Sequence, residues 1–285
     1  MTGAPPFPTG STPETSDIAD WCESVALMTR RQFKRGDLKS ALSREDIGNP
    51  DLLEEQTWAE LENRSKLYGA AWPLTMDGSR LRVREDASDD AILLQVYFCI
   101  LASGDIESED RSLFEEIVRS IISSRLGKSV VRIGHPARKG DPASFRERVK
   151  NYTRDSLLST LEVFHEPLPH DKDLGMDVVA WLPSPDNRGG YIHLLIQCAT
   201  GRNWANKLSD IDLNVINSHI RWAVQPVRIF SLPSVISTTG PQWIRYTQRA
   251  GWILDRPRLM HLASGTIITD GLREEISDRI EELAV

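Results

Sequence analysis

The 285-residue sequence has few of the residues that build disulfide frameworks or zinc sites. Its three cysteines, Cys22, Cys99 and Cys198, are odd in number and far apart, and its six histidines form no zinc-ligand spacing with them. This distribution excludes a disulfide-rich scaffold and gives no sign of a zinc site. Apolar runs are short as well: none approaches the roughly 20 residues of a membrane-spanning helix, so we expect no membrane partner.

A basic excess is also lacking, since 34 lysines and arginines stand against 41 aspartates and glutamates, for a net charge of -7. A protein that coats nucleic acid non-specifically usually carries a strong basic excess, and that class is excluded. A nuclease is not excluded, because many hydrolytic sites gather carboxylates around a metal ion. With 40% hydrophobic and 26% charged residues, the composition is typical of a globular protein.

The first third of the chain divides into a tail and a helical region. Residues 1–17 are rich in Pro, Gly, Ser and Thr and predict a flexible tail. They lack the basic flank and apolar stretch of a signal peptide, so we expect a cytoplasmic protein. Residues 18–104 predict a mainly helical region, with helices over 18–34, 50–68 and 90–103 and a small hairpin at Asp77-Gly78. The polar break at 104–111 marks a domain boundary.

Residues 105–285 alternate between helical and strand patterns and predict a second domain. Helices are expected over 112–127, from the Ser144-x-x-Glu147 capping motif onward, and over 203–222, 241–251 and 272–284. A short apolar piece covers 130–134, and strands are expected over 176–183, 191–200 and 227–233, the first two joined by a turn at 184–190. The strand over 191–200 is apolar on both faces, which indicates a covered central strand. The whole predicts an α/β fold, a mixed sheet flanked by helices.

The most informative segment is the predicted hairpin, with Asp177 at the start of its first strand and Gln197 near the end of its second. If the hairpin turns near residues 187–189, residue 177 lies opposite residue 197 or 198. Alternation then places Asp177 on one face with Trp181, and Gln197 on one face with His193. An aspartate buried beside a glutamine is costly without a partner. A hard divalent cation bound through their oxygens would offset that cost.

The residues from Asp173 to Cys198 have the order D-x-G-x-D-V-V followed by Q-C, which resembles the PD-(D/E)xK nuclease superfamily, most closely its Mrr-like restriction endonuclease branch. The Phe114-Glu115 pair in the helix before them resembles the Phe-Glu pair of that family's first core helix. The resemblance covers about residues 112–230. It implies a restriction endonuclease-like mixed β-sheet flanked by helices, to which residues 18–104 add an N-terminal helical region.

The resemblance also implies an Mg2+-dependent endonuclease, with Mn2+ as the other suitable ion. Asp177 would be the principal metal ligand, and Gln197 would supply a neutral oxygen at the position of the second carboxylate. Glu115 would add a carboxylate from the helix, and Asp173 would bind a second ion or hold a water. In such a site the cation polarises the phosphate and helps to generate hydroxide.

At one position the sequence departs from the family pattern, because Ala199 stands where the family has its lysine. Lys207, on the helix predicted over 203–222, is the nearest replacement. Arg202 is the second candidate, although a guanidinium suits phosphate binding better than proton transfer. Lys139 and Arg146 belong to a basic cluster that would line a path for phosphates, unless the cluster is ordinary solvated surface.

Several of these residues also have an ordinary structural interpretation. Glu115 ends a Ser-x-x-Glu capping motif and would then only cap its helix. Asp173 would be a turn residue. Gln197, without Asp177 beside it, would be a core amide with its hydrogen bonds satisfied. Lys207, taken alone, would be a solvated helix residue.

The function that the resemblance implies is hydrolysis of foreign DNA in prokaryotic antiviral defence, with DNA favoured over RNA as the substrate. The alternative is a catalytically inactive subunit that keeps the nuclease fold and binds nucleic acid or a partner protein, which Ala199 and the acidic net charge favour. A third hypothesis is a defence-complex component whose N-terminal helices recruit an ATPase and whose nuclease acts only in that assembly.

Overall fold

The computed structural model describes residues 5–8, 13–30, 32–45, 47–103, 107–127, 129–138, 140–142, 144–156, 162–163, 174–186 and 188–283. The α-helices are α1 (Thr15–Thr29), α2 (Arg35–Arg44), α3 (Pro50–Tyr68), α4 (Asp89–Ser103), α5 (Ser108–Leu126), α6 (Phe145–Asp155), α7 (Leu213–His219), α8 (Gly240–Ala250), α9 (Arg256–Ala263) and α10 (Asp270–Leu283). The strands are β1 (Phe33–Lys34), β2 (Leu74–Asp77), β3 (Arg80–Val83), β4 (Val130–Arg132), β5 (Glu162–Val163), β6 (Val178–Leu182), β7 (Ile192–Cys198), β8 (Ile220–Arg221), β9 (Val227–Ser231) and β10 (Trp252–Leu254). None of the helices in these ranges combines the length and apolar content that crossing a bilayer requires.

The chain divides into two units, and the first contains the described residues of Met1–Asp105, Pro233–Ser237 and Asp255–Val285. In this unit α1 packs against α3 and α4, and α4 also packs against α9 and α10. A small antiparallel sheet in the order β1-β3-β2 completes it. The helix α4 is apolar around most of its circumference, as the sequence predicts, because neighbouring helices contact it on several sides.

Four charged side chains lie in the interior of this first unit. Asp20, Glu23, Arg64 and Arg256 are each at most 3% exposed. The Arg64 guanidinium donates to the carboxylates of Asp20 and Glu23, and Arg256 Nη2 donates to Asp20 Oδ1 at 2.7 Å. Two positive and two negative groups therefore balance each other inside the core, which buried charges require. Arg64 Nε also donates to the partly exposed Glu60, at 2.9 Å.

The second unit contains the described residues of Ile106–Leu232 and Thr238–Leu254. Its five-stranded sheet has the order β10-β9-β7-β6-β4. Strands β4, β6 and β7 are antiparallel neighbours, whereas β7, β9 and β10 run parallel. The mixed α/β sheet predicted from the sequence is confirmed. The register pairs Val179 with Leu195 and Trp181 with His193, and its extension places Asp177 opposite Gln197, one of the two partners, 197 and 198, that a turn at 187–189 allows.

A hydrophobic core covers one face of this sheet. It combines strand residues such as Trp181 and Leu195 with Tyr152 from α6 and Ile216 from α7. His193 lies in the same core, and its Nδ1 is hydrogen-bonded to the Tyr152 hydroxyl. Burial lowers the pKa of His193 to about 4, so its imidazole is neutral at pH 7. The other face carries contacts between α5 and strands β4, β6 and β7.

The structure differs from the sequence-based prediction at several elements. Helix α1 begins at Thr15, inside the predicted tail of residues 1–17, and α5 begins at Ser108 rather than at residue 112. The helix predicted over 18–34 ends at Thr29, because Arg30 adopts a left-handed conformation, and β1 and α2 follow. The helix predicted over 203–222 is instead a 3-10 helix at Trp204–Lys207, then α7 and β8; Asp212 starts α7 anew by accepting the N–H of Asn214. Residues 255–283, predicted to belong to the second domain, pack in the first unit.

Gly251 ends α8 at a point where only glycine fits. Its φ is +83°, and a Cβ would stand 2.2 Å from the backbone oxygen of Arg228. Replacing Gly251 with alanine should therefore lower the free energy of unfolding by about 1–3 kcal/mol, as measured by urea denaturation. Gly240→Ala is the matched control, because Gly240 also has a positive φ, of +64°, but no atom within 4 Å of such a Cβ. Equal losses in the two variants would contradict the steric explanation.

Candidate functional site

Asp177 lies at the end of the sheet where β4 and β7 finish and β6 begins. Its N–H donates to Ile196 O at 2.9 Å, and its Oδ2 accepts the N–H of Cys198 at 2.7 Å. Its own carbonyl accepts two hydrogen bonds, from the N–H groups of Ile133 and Gly134, at 2.8 and 2.9 Å. These bonds to two neighbouring strands hold the half-buried carboxylate in place. They also place it near the carboxyl ends of the parallel strands, where α/β folds bind ligands.

A second carboxylate, that of Glu115 on α5, reaches the same place. A Cβ built on Gly134 would stand 2.4 Å from Glu115 Oε2 and 3.1 Å from Asp177 Oδ1. The two oxygens are thus within 3.1 Å of one point, and a side chain at residue 134 would displace them. Two carboxylates bordering one small space repel each other unless a cation lies nearby. Gly134 is a site residue that sequence reasoning missed, although its position directly after a short strand was a signal.

The nearest cation that the structure shows is Arg132, at the end of β4. Its guanidinium is buried, with Nη2 2.7 Å from Glu115 Oε2 and Nη1 2.9 Å from Asp141 Oδ2. Nη2 also donates to the carbonyl of Pro136 at 2.7 Å. Arg132 therefore fixes Glu115 and the loop that follows β4. Since α5 begins at Ser108, Glu115 lies within the helix, and the capping interpretation of Glu115 is wrong.

Gln197 lies next to Asp177 in the register but has a different partner. The Gln197 side chain is 6% exposed, and its Nε2 donates to Asp210 Oδ2 at 3.0 Å. Because the nitrogen end of the amide faces Asp210, the carbonyl oxygen faces away from it. Asp210 is a second residue that sequence reasoning missed. It lies between the 3-10 helix and α7, and its backbone packs against Gly175, whose φ is +75°.

The remaining predicted site residues are dispersed. Lys207 is exposed at the end of the 3-10 helix, and its side chain forms no hydrogen bond or ion pair within the described part of the chain. Its carbonyl accepts the N–H of Asp210, at 3.0 Å, which places it close in the chain to the partner of Gln197. Arg202 is exposed near the start of this turn, and Arg146 is exposed on α6. Asp173 and Lys139 lie outside the described residues.

The thiol of Cys198 is next to this site but is not suited to act as a nucleophile. Burial raises its pKa well above the ordinary value, and the carboxylates of Asp177 and Glu115 raise it further. The thiol therefore stays protonated at neutral pH, whereas a cysteine nucleophile needs a lowered pKa.

Oxygen donors dominate the candidate site. The carboxylates of Asp177 and Glu115 are ligands that suit a hard divalent cation. An amide oxygen suits it too, although the described side-chain contact of Gln197 is with Asp210. Within the described ranges, however, no three His, Cys, Asp or Glu side chains are grouped so that they could hold a metal ion together. A cation here would depend on these two carboxylates, one of which is already paired with Arg132, and on neutral oxygens.

Comparisons of the chain with protein-family models, with curated proteins and with solved structures find no match in any of the three.

Proposed function

We propose that the second unit is a metal-dependent nuclease that hydrolyses phosphodiester bonds of DNA. The observation that carries the proposal is the convergence of Asp177 and Glu115 on the space beside Gly134, where their oxygens lie 3.1 and 2.4 Å from the position of a Cβ. Two close carboxylates repel each other, and the single positive charge of Arg132 equals only one of their two negative charges, which is unfavourable for folding. A divalent cation bound there would remove that cost and supply the means to hydrolyse a phosphodiester.

The order of the elements supports a restriction endonuclease-like fold for this unit. Within residues 112–230, helix α5 precedes an antiparallel meander of β4, β6 and β7, and β9 returns parallel to β7. Asp177 and Gln197 occupy neighbouring ends of the β6–β7 hairpin, as the resemblance to the PD-(D/E)xK superfamily implies.

In this proposal Asp177 anchors an Mg2+ or Mn2+ ion, with Gln197 as the neutral ligand and Glu115 as the further carboxylate. The ion, when bound, would polarise the phosphate and make a bound water more acidic. The Cys198 N–H holds one Asp177 oxygen at 2.7 Å and so orients the other. Lys207, exposed and without a described ion-pair partner, is assigned the role of the missing family lysine, which stabilises negative charge developing on the phosphate.

The biological setting of the proposal follows from the resemblance alone. The nuclease would act in the cytoplasm on foreign DNA, in prokaryotic antiviral defence. The first unit would contact a partner protein, such as an ATPase of a defence complex.

One contact favours the second candidate function, a binding subunit that has lost catalysis. Arg132 already gives Glu115 a buried counter-charge 2.7 Å away, so that carboxylate does not require a metal. Together with Ala199 at the lysine position, this ion pair is compatible with a nuclease fold that binds a partner and cleaves nothing.

The two functions are separated by incubating the purified full chain with supercoiled plasmid DNA and Mg2+ or Mn2+, with EDTA as the control. Binding of Mn2+ to the DNA-free protein is followed in parallel by electron paramagnetic resonance. Nicking that requires the cation and is abolished by EDTA supports the nuclease. Absence of both nicking and Mn2+ binding contradicts it and favours the binding subunit.

A further inference from the structure

Charge is distributed unevenly along this acidic chain. Residues 213–254 contain no aspartate or glutamate but include the basic residues Arg221, Arg228, Arg245 and Arg249, whereas the whole chain has a net charge of -7. A long segment without acidic residues in an acidic protein concentrates positive potential locally, which attracts polyanions.

Part of this positive charge is arranged on one side of α8. Gln242, Arg245, Tyr246 and Arg249 follow the spacing i, i+3, i+4 and i+7, which places them on one helix face. With Thr239, Pro241 and Gln248 they line a shallow depression of about 750 Å³. Both arginines are exposed, and the Gln242 amide donates to the Tyr246 hydroxyl at 2.8 Å. These four residues are named the α8 basic stripe.

Two contacts connect the α8 basic stripe with the segment that carries Lys207. The ring of Tyr246 meets that of Trp204 edge to face, with centroids 5.3 Å apart. Arg249 Nε donates to Ser209 Oγ at 3.4 Å. Ser209 precedes Asp210, whose carboxylate accepts from Gln197. The stripe is therefore joined to the candidate site within the second unit.

We infer that the α8 basic stripe, together with Lys207, binds the phosphate groups of duplex DNA beside the Asp177–Glu115 site; the choice of this substrate rests on the proposed function. Guanidinium groups bind phosphate through paired hydrogen bonds. Arg245 and Arg249 are one helical turn apart, about 6 Å along the axis, and can contact successive phosphates of one strand.

The aromatic residues favour a duplex over a single strand. Proteins that hold single strands usually offer open aromatic faces on which bases stack. Trp204 and Tyr246 are instead half-buried and packed against each other. The surface thus offers charged and amide donors for a phosphate backbone rather than a platform for bases.

The test measures DNA binding by fluorescence anisotropy in an Asp177→Asn background, so that cleavage does not interfere. The probe is a labelled 30-base-pair DNA duplex, titrated at several NaCl concentrations. The Arg245→Gln/Arg249→Gln double variant should bind about 10- to 100-fold more weakly at low salt. The slope of log affinity against log salt should fall in magnitude by about 2, one for each phosphate contact removed.

The matched control is Arg188→Gln. Arg188 is an exposed arginine paired with Asp186, and it lies at the turn end of the β6–β7 hairpin, away from Asp177. The affinity of the Arg188→Gln variant for the duplex, and the slope of its log affinity against log salt, should stay within twofold of the values for the Asp177→Asn protein. All three proteins should have the same unfolding midpoint, since the replaced side chains are exposed.

Unchanged duplex binding in the double variant, or an equal loss of affinity in Arg188→Gln, would overturn the inference. Tighter binding of single-stranded DNA or duplex RNA than of duplex DNA would overturn it as well. If the double variant binds weakly while the unsubstituted protein never cleaves, the binding surface stands and the nuclease proposal fails. If the double variant with Asp177 intact cleaves and binds like the unsubstituted protein, the nuclease stands and the binding surface is wrong.

Discussion

Replacement of Asp177 by asparagine should reduce metal-dependent DNA cleavage by about 100- to 1000-fold. Asparagine keeps the size of the side chain and can still accept the N–H of Cys198, which the Asp177 carboxylate accepts at 2.7 Å. What is lost is the negative charge that anchors the cation, and metal-ion catalysis supplies several kcal/mol of barrier reduction, at about 1.4 kcal/mol for each tenfold change in rate. The measurement is the initial rate of plasmid nicking at saturating Mg2+ or Mn2+.

Unfolding of the variant would also abolish cleavage, so its stability distinguishes unfolding from the loss of a metal ligand. Asparagine keeps the size of the side chain and the hydrogen bond from the Cys198 N–H, so the stability of Asp177→Asn should stay within about 1 kcal/mol of that of the unsubstituted protein. Asp186→Asn is the control, because this exposed aspartate lies in the hairpin turn and its described contacts, to Ser184 and Arg188, are both local. Equal nicking rates for Asp177→Asn and the unsubstituted protein would end the assignment of Asp177.

Replacement of Arg64 by methionine should lower the free energy of unfolding by about 3–5 kcal/mol, the usual cost of removing one partner from a buried ion pair. Arg64 is fully buried and donates to both Asp20 and Glu23. Without it, Arg256 is the cation that remains beside Asp20 among the described residues, and the nearest guanidinium nitrogen of Arg256 is 4.0 Å from Glu23. Methionine preserves much of the packing volume, so the loss reports on charge.

Chemical denaturation of the full chain measures this loss, with Lys39→Met as its surface counterpart. The Lys39–Asp51 pair has a similar distance, 2.7 Å, but side-chain exposures of 57% and 72%, so its removal should cost less than about 1 kcal/mol. Adding Glu23→Gln to Arg64→Met should recover part of the stability, because it removes the buried negative charge of Glu23 that lost its counter-charge with Arg64. A loss below 1 kcal/mol for Arg64→Met, or no recovery in the double variant, would show that the network is not a charge-balanced unit.

Local signals in the sequence were enough to place many of the elements. The predicted helix over 50–68 agrees with α3 because its boundaries are encoded next to it: the Asn49 side chain accepts the N–H of Leu52, and Pro50 occupies the first turn. Gly127 likewise ends α5, and Ser144 caps α6 by accepting the N–H of Glu147. Each of these contacts spans a few residues, so the residue types alone reveal it.

The hairpin that carries Asp177 was predictable for the same reason. A turn between two alternating strands sets their register, and the observed pairing of Trp181 with His193 follows from it. The helix over 203–222 was not predicted correctly, because Asp212 begins a separate helix within a segment whose apolar spacing indicates a continuous one. The hydrogen bond from the Asn214 N–H to the Asp212 side chain starts a new helix there, although the apolar spacing continues through the segment.

By itself the sequence determined the mixed α/β class, the ends of several helices such as α3, and the pairing of Asp177 with residue 197 or 198, all of which depend on neighbours in the chain or on one turn. Tertiary structure alone decided that Arg132 neutralises Glu115, that Asp210 binds Gln197 and that Arg256 joins Asp20 across 236 positions of sequence. The physical reason is that a buried charge requires a counter-charge in space, and residue type and spacing do not reveal which distant part of the chain supplies it.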